Sequence, residues 1–247
     1  MEDIVDRLET IKRDFPLAVF SGANDLTSRL TKQCGVGNII HLDLAANRLP
    51  ENGARIVCDE EQLCLAPQSI DLFVSLLTLH NTNDLIGALA QARVALKPDG
   101  LFIAVLFGDE TLKNLRTALL TAEAKLTSGA AARVAPMGVI QDFGQALSRA
   151  GFALPVTDID NVKINYRSPQ TLLQDLRGMA ETNVLAGVTK PLRRDVLAQS
   201  LNYFEQAGCE EKFDLIFLTG WAPDDSQQKP LKPGSAKTSL ADAIKDQ

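Results

Sequence analysis

Acids, small residues and one histidine recur at places where an apolar run gives way to a loop: Ser21-Gly22-Ala23, Asp43, Asp59-Glu60, Ser75 to His80, and Asn83-Asp84. An acidic residue such as Asp43 can accept both hydroxyls of a ribose. One at Asp59 or Glu60 can accept an exocyclic adenine amino group, so the pair has the geometry of a nucleoside pocket. Gly22 would let the backbone approach such a ligand closely and take positive φ without steric penalty. His80 suits a general base, with an ordinary pKa of about 6.5, and equally suits a hydrogen-bonded structural role. Asn83-Asp84 reads equally as the N-terminal cap of a following helix, and Asp43 and Asp59 as loop acids or caps of any α/β fold. Cys58, Cys64 and His80 lack the spacing of a zinc site and read as thiols beside a histidine, so no metal is expected.

The elements that must hold these residues follow from periodicity. Ile4, Val5, Leu8 and Ile11 form one stripe of an amphipathic helix ending near Asp14, before Pro16. Leu17 to Phe20, Asn38 to Leu42, Arg55 to Cys58, Ile70 to Leu77 and Leu101 to Phe107 are apolar runs of the kind buried parallel strands require. A helix from Leu26 to about Gln33, capped by Asp25, is expected between the first two, and a second over Asp84 to Leu96. Lys97-Pro98-Asp99-Gly100 is a turn. Helices over Thr111 to Leu126 and Val139 to Ala150 follow, with a strand from Val156 to Tyr166 broken near Asp160-Asn161. Helices from Pro169 to about Met179 and Pro191 to about Gln206 then precede a last strand, Phe213 to Trp221, whose tryptophan should pack in the core. Strands alternating with helices imply βαβ units and a doubly wound sheet, whose ligands bind at the carboxyl ends of the strands.

The sequence has 247 residues with a formal charge of −6, and its basic residues are scattered, Arg193-Arg194 being a tight pair. That balance argues against a nucleic-acid partner, which needs clustered Lys and Arg. No Cys-x-x-Cys pair joins the four cysteines, and no apolar run is long enough for a signal peptide or membrane insertion, so a cytoplasmic protein with reduced thiols is expected. One unit over residues 1–222, with a helical insertion at about 167–206, is followed by a polar tail over 223–247 that should be flexible.

Several motifs are more specific. Asp59-Glu60-Glu61-Gln62-Leu63, Ser69 to Ser75, Leu79-His80 with Asn83-Asp84-Leu85, and Leu96 to Gly100 together resemble the class I methyltransferases of the BioC-like group. Phe107 to Arg116, Asp142-Phe143-Gly144 with Ala150-Gly151-Phe152, Asp175 to Met179, and Gly220-Trp221 are similar to its branch of respiratory complex I assembly factor 5 proteins. The resemblance spans nearly the whole chain. It implies a Rossmann-like methyltransferase fold with a mostly parallel seven-stranded sheet, the last strand antiparallel. It also implies S-adenosylmethionine bound across the first four strand ends by Gly22, Asp43, Asp59, Glu60, Ser75 and Leu76, with His80, Asn83 and Asp84 facing the reaction chamber.

The chain departs from the family pattern where the cofactor loop runs Asp-Leu-Gly-x-Gly-x-Gly in relatives. Here the run is Phe20-Ser21-Gly22-Ala23-Asn24-Asp25-Leu26, with one glycine and no acid for the cofactor's ammonium. Three functions follow from the resemblance. The first is an S-adenosylmethionine-dependent methyltransferase with an unassigned acceptor. The second is a re-purposed or non-catalytic assembly factor with a protein client, of the complex I type, for which protein-arginine hydroxylation is the precedent. The third is a malonyl-carrier-protein methyltransferase, which would need a basic face for its acidic carrier.

Overall fold

A computed structural model describes residues 1–185 and 191–228; most of the expected tail, residues 229–247, lies outside the described residues. Seven strands form one sheet: β1 (Phe15–Ser21), β2 (Val36–Asp43), β3 (Ala54–Val57), β4 (Ile70–Leu76), β5 (Leu96–Phe107), β6 (Ala153–Asn165) and β7 (Glu210–Trp221). Their order is β3-β2-β1-β4-β5-β7-β6, with β1 to β5 mutually parallel and β7 antiparallel to both of its neighbours. This is the expected fold class. The order reverses between β1 and β4, so the loops after β1, β2, β3 and β4 converge on one edge.

Six α-helices accompany the sheet among the described residues: α1 (Glu2–Ile11), α2 (Leu85–Ala95), α3 (Lys113–Leu126), α4 (Ile140–Arg149), α5 (Pro169–Gly178) and α6 (Arg194–Gln206). Alternate residues of each central strand face opposite layers, which is why the strands read as continuous apolar runs. Phe73 and Phe102 pack with Leu89, Ala92 and Leu147 of α2 and α4. Leu72, Val74, Leu101 and Ile103 pack with Ile4 and Leu8 of α1. A third cluster joins α3, α5 and α6 through Leu115, Leu119, Leu172, Leu176 and Phe204 to Phe107 and Phe213 at the end of the sheet.

Three local expectations are corrected. The helix over Leu26 to Gln33 is instead a pair of 3₁₀ turns, Asn24–Arg29 and Lys32–Cys34. Asn24–Arg29 buries no side chain, so no packed face holds an α-helix there, and Ala23 rather than Asp25 stands at its cap position. β6 runs unbroken through Asp160 and Asn161, which pair with Leu215 and Asp214. β6 is an edge strand whose polar residues face solvent, so the polar pair does not interrupt the ladder. α1 stops at Ile11 because Lys12 takes the left-handed conformation, φ 51°. Trp221 packs half-buried against the α1 side of the core, as expected, with the Arg13 guanidinium 5.4 Å from its ring centroid. The turn at Lys97 to Gly100 is present as an excursion within β5: Leu96 pairs with Ile70 and Leu101 with Leu72, and Asp99 has φ 59°.

Candidate functional site

The end of β1 lies between the ends of β2 and β4, with Ser21 opposite both Leu42 and Ser75. Gly22 then turns the chain at φ +69°, its N–H donating to the Leu42 carbonyl at 3.1 Å. A Cβ at this position would overlap the Leu76 carbonyl oxygen and the Thr78 methyl group, so glycine is required both by φ and by close approach. Asn24, φ 43°, takes the left-handed conformation within the same loop. Leu77, at φ 53°, does so across from it, an uncommon conformation for a bulky aliphatic residue and a point of strain at the strand end.

Ser21 Oγ donates to Glu60 Oε1 at 2.6 Å, both side chains being buried. Ser75 Oγ shares a 2.8 Å hydrogen bond with Thr78 Oγ1. Asp43, only 4% exposed, accepts from the Ala45 N–H at 3.0 Å through Oδ1, while its Oδ2 faces the half-exposed Arg48 Nε at 3.4 Å. The Asp43 carbonyl receives the Cys58 N–H, which brings the β3 end alongside. Asp59 is exposed, and its Oδ1 accepts the Glu61 N–H at 2.9 Å. Gly22, Asp43, Glu60, Ser75 and Leu76 are thus gathered at one edge, with Asp59 on its rim.

The three polar candidates after β4 separate into two settings. Asp84 caps α2, its Oδ1 accepting the Gly87 N–H at 2.9 Å. Glu61 accepts the Asp84 N–H at 2.6 Å and the Asn83 amide at 3.4 Å, and the backbone bond to Asp84 holds its carboxyl below the ordinary value. His80 turns the other way. Its Nε2 lies 3.1 and 3.2 Å from the two Glu181 oxygens, its ring meets Phe107 edge-on with centroids 5.0 Å apart, and its Nδ1 is buried without a hydrogen bond.

Beyond His80, a cavity of about 310 Å³ opens under the α3, α5 and α6 cluster. Phe107, Leu112, Leu115, Leu119, Leu176 and Phe213 form its apolar wall; Asn81, Arg133, Arg177 and Glu181 stand on its polar side. Sequence reasoning placed Ser21 and Thr78 in the strand-end runs without giving either a partner, and it missed Glu181 and this chamber. Glu181 lies 101 residues from His80 in a loop with no motif of its own, so no sequence signal pointed to it.

Among the described residues no three His, Cys, Asp or Glu side chains group as a metal site. The Cys58 thiol is pushed up to about 11, first by burial, and its sulfur accepts the Cys64 N–H.

The donor set fits the nucleoside half of S-adenosylmethionine. Asp43 is aimed by a backbone N–H at the edge formed by Gly22, and only an exposed arginine competes for its second oxygen. The amino-acid half has a thinner fit, because Phe20, where the resemblance implies an acid, is an apolar side chain fully buried in the core.

Residues 17–104 match the methyltransferase-domain family. Over 256 residues the chain is 36% identical to the mitochondrial arginine-hydroxylase NDUFAF5 of Danio rerio, with 98% of this chain and 79% of that protein covered. It is 29% identical to the malonyl-acyl-carrier-protein O-methyltransferase of Methylovorus sp. (strain MP688), with 90% of this chain and 80% of that protein covered. Among solved structures, a provisionally assigned methyltransferase of Bacillus halodurans C-125 superposes with a TM-score of 0.60 at 11% identity, covering 91% of this chain and 100% of that one.

Proposed function

The chain belongs to the NDUFAF5 family of methyltransferase-fold proteins, and from that premise we propose that its strand edge binds S-adenosylmethionine and that the protein modifies or matures a protein client. The observation that carries this reading is the buried carboxylate of Asp43, oriented by the Ala45 N–H beside the left-handed Gly22. In this reading Asp43 holds the ribose, Asp59 and Glu60 border the adenine, and the backbone from Ser75 to Leu76 lines the pocket. Gly22 admits the ligand to the crossing of β1 and β4.

The cofactor supplies an electrophilic methyl group on a sulfonium. Transfer from it needs alignment more than acid-base help. The chain's part is therefore to orient the nucleoside and to keep the acceptor side apolar, which Phe107 and Phe213 do. Of the polar candidates we assign His80, buried behind Glu181, to the acceptor side. Asn83 and Asp84 we assign to the start of α2. Residues 1–222 act as one methyltransferase-like unit, with 167–206 as its helical insertion and 223–247 as a polar tail.

A second reading, arginine hydroxylation of a respiratory-complex client, is favoured by the 98% of this chain that aligns with the Danio rerio arginine-hydroxylase. The malonyl-carrier reading has less support, because Arg193 of the pair Arg193-Arg194 is engaged by Asp195. Among the described residues no helix is long and apolar enough to cross a membrane. All four cysteines are free, which suits a reducing compartment such as a cytoplasm; the Danio rerio relative is a mitochondrial protein.

The test is to capture proteins bound to the tagged chain and to incubate them with the chain and deuterated-methyl S-adenosylmethionine. A deuterated methyl group on a captured client, lost with Asp43→Ala, is the expected result. An added oxygen on arginine with no label transfer favours the second reading, and no modification of any captured protein counts against both.

A further inference from the structure

The chamber under α3, α5 and α6 has a charge pattern that its apolar wall does not explain. Three charged side chains reach its surface among the described residues: Arg133, Glu181 and Arg177. Two are engaged. Arg133 bonds to Glu123 at 2.6 Å, and Glu181 to His80 at 3.1 Å. Arg177, exposed on the last turn of α5, has no hydrogen bond or ion pair from its guanidinium to any described residue. A compact apolar cavity with one unneutralised guanidinium is the arrangement of a ligand pocket, in which a few polar groups fix the orientation of a mostly apolar occupant.

We propose that this chamber binds an anionic amphiphile: an unbranched apolar chain buried against Leu115, Leu119 and Phe213, with a carboxylate at Arg177. Burial in such a cavity removes apolar surface from water, and the apolar lining offers nothing to hold ordered water in its place. The volume, about 310 Å³, equals roughly ten water molecules at about 30 Å³ each and so takes a chain of about a dozen carbons. The guanidinium presents a planar fork that matches a carboxylate bidentately, whereas a neutral or cationic head gains nothing from it. Glu181, tied to His80, adds a negative charge on the same side and disfavours any carboxylate placed away from Arg177. The chamber shares Phe107 and Phe213 with the acceptor side proposed above but touches none of Gly22, Asp43, Glu60, Ser75 or Leu76, so binding requires no S-adenosylmethionine and its failure would leave the reading of that edge untouched.

The experiment is calorimetric titration of the full chain with dodecanoate, dodecanol and dodecyltrimethylammonium, each below its micelle concentration. Dodecanoate should bind most tightly at one site, and Arg177→Gln should weaken it roughly tenfold or more while leaving dodecanol unchanged. Leu173→Trp, which fills the chamber from α5, should abolish binding of both while the variant still unfolds cooperatively. The proposal is overturned if dodecanoate fails to bind, if dodecanol binds as well as dodecanoate, or if both variants bind dodecanoate like the parent chain.

Discussion

Ser21 and Glu60, 39 residues apart in sequence, share a 2.6 Å hydrogen bond in which both side chains are buried at the converging ends of β1 and β3. The bond crosses over β2 and ties the outer end of the sheet to its centre. Ser21→Ala leaves a buried carboxylate short of a donor and should destabilise the fold by about 1–3 kcal/mol in urea titrations. A loss below about 0.5 kcal/mol would mean that water satisfies Glu60 equally well.

Gly22→Ala introduces a Cβ against the Leu76 carbonyl oxygen at a residue with φ +69°. The left-handed conformation alone costs an L-residue about 1–2 kcal/mol, so a total loss of at least about 2 kcal/mol is expected from chemical denaturation. Gly129→Ala is the control, because nothing lies within 4 Å of its added Cβ; it should fall within about 0.5 kcal/mol of the parent.

Asp84→Ala removes the α2 cap, whose Oδ1 accepts the Gly87 N–H at 2.9 Å. A stability loss of about 1 kcal/mol is expected, with affinity for S-adenosylhomocysteine unchanged. Affinity that falls while stability holds would return Asp84 to the binding site.

The Arg133 guanidinium beside Glu123, both nearly buried, holds the Glu123 carboxyl below its ordinary value of 4.5, aided by the Ala131 N–H. A depressed pKa in the folded state contributes stability above the unfolded pKa and loses it as pH falls through the folded one. Arg133→Met should therefore cost about 3 kcal/mol around pH 7, with the gap to the parent chain narrowing around pH 4. Urea midpoints at the two pH values test this; a constant gap would remove Glu123 as its cause.

These residues differ in how far the sequence reveals them. β1, β4 and β5 are legible because strands buried on both faces must be apolar, β2 is legible from its apolar second half, and Asp43 is legible because it directly follows that run. β6 misleads because an edge strand tolerates Asp160 and Asn161 on exposed positions, where pairing with β7 rather than composition maintains the strand. The Leu26 region misleads because helical propensity without a buried face does not sustain a helix. The Ser21–Glu60 and His80–Glu181 contacts arise only when strand order brings distant segments together, so no local pattern announces them.

The strand edge is proposed as a nucleoside site despite its single glycine. Calorimetric titration with S-adenosylmethionine and S-adenosylhomocysteine, on the parent chain and on Asp43→Ala, tests it most directly. Micromolar binding to the parent chain is expected, with a loss of about 1–3 kcal/mol in the variant, from hydrogen bonds to a charged group. Absence of binding up to millimolar ligand, or equal affinity in the two proteins, would contradict it.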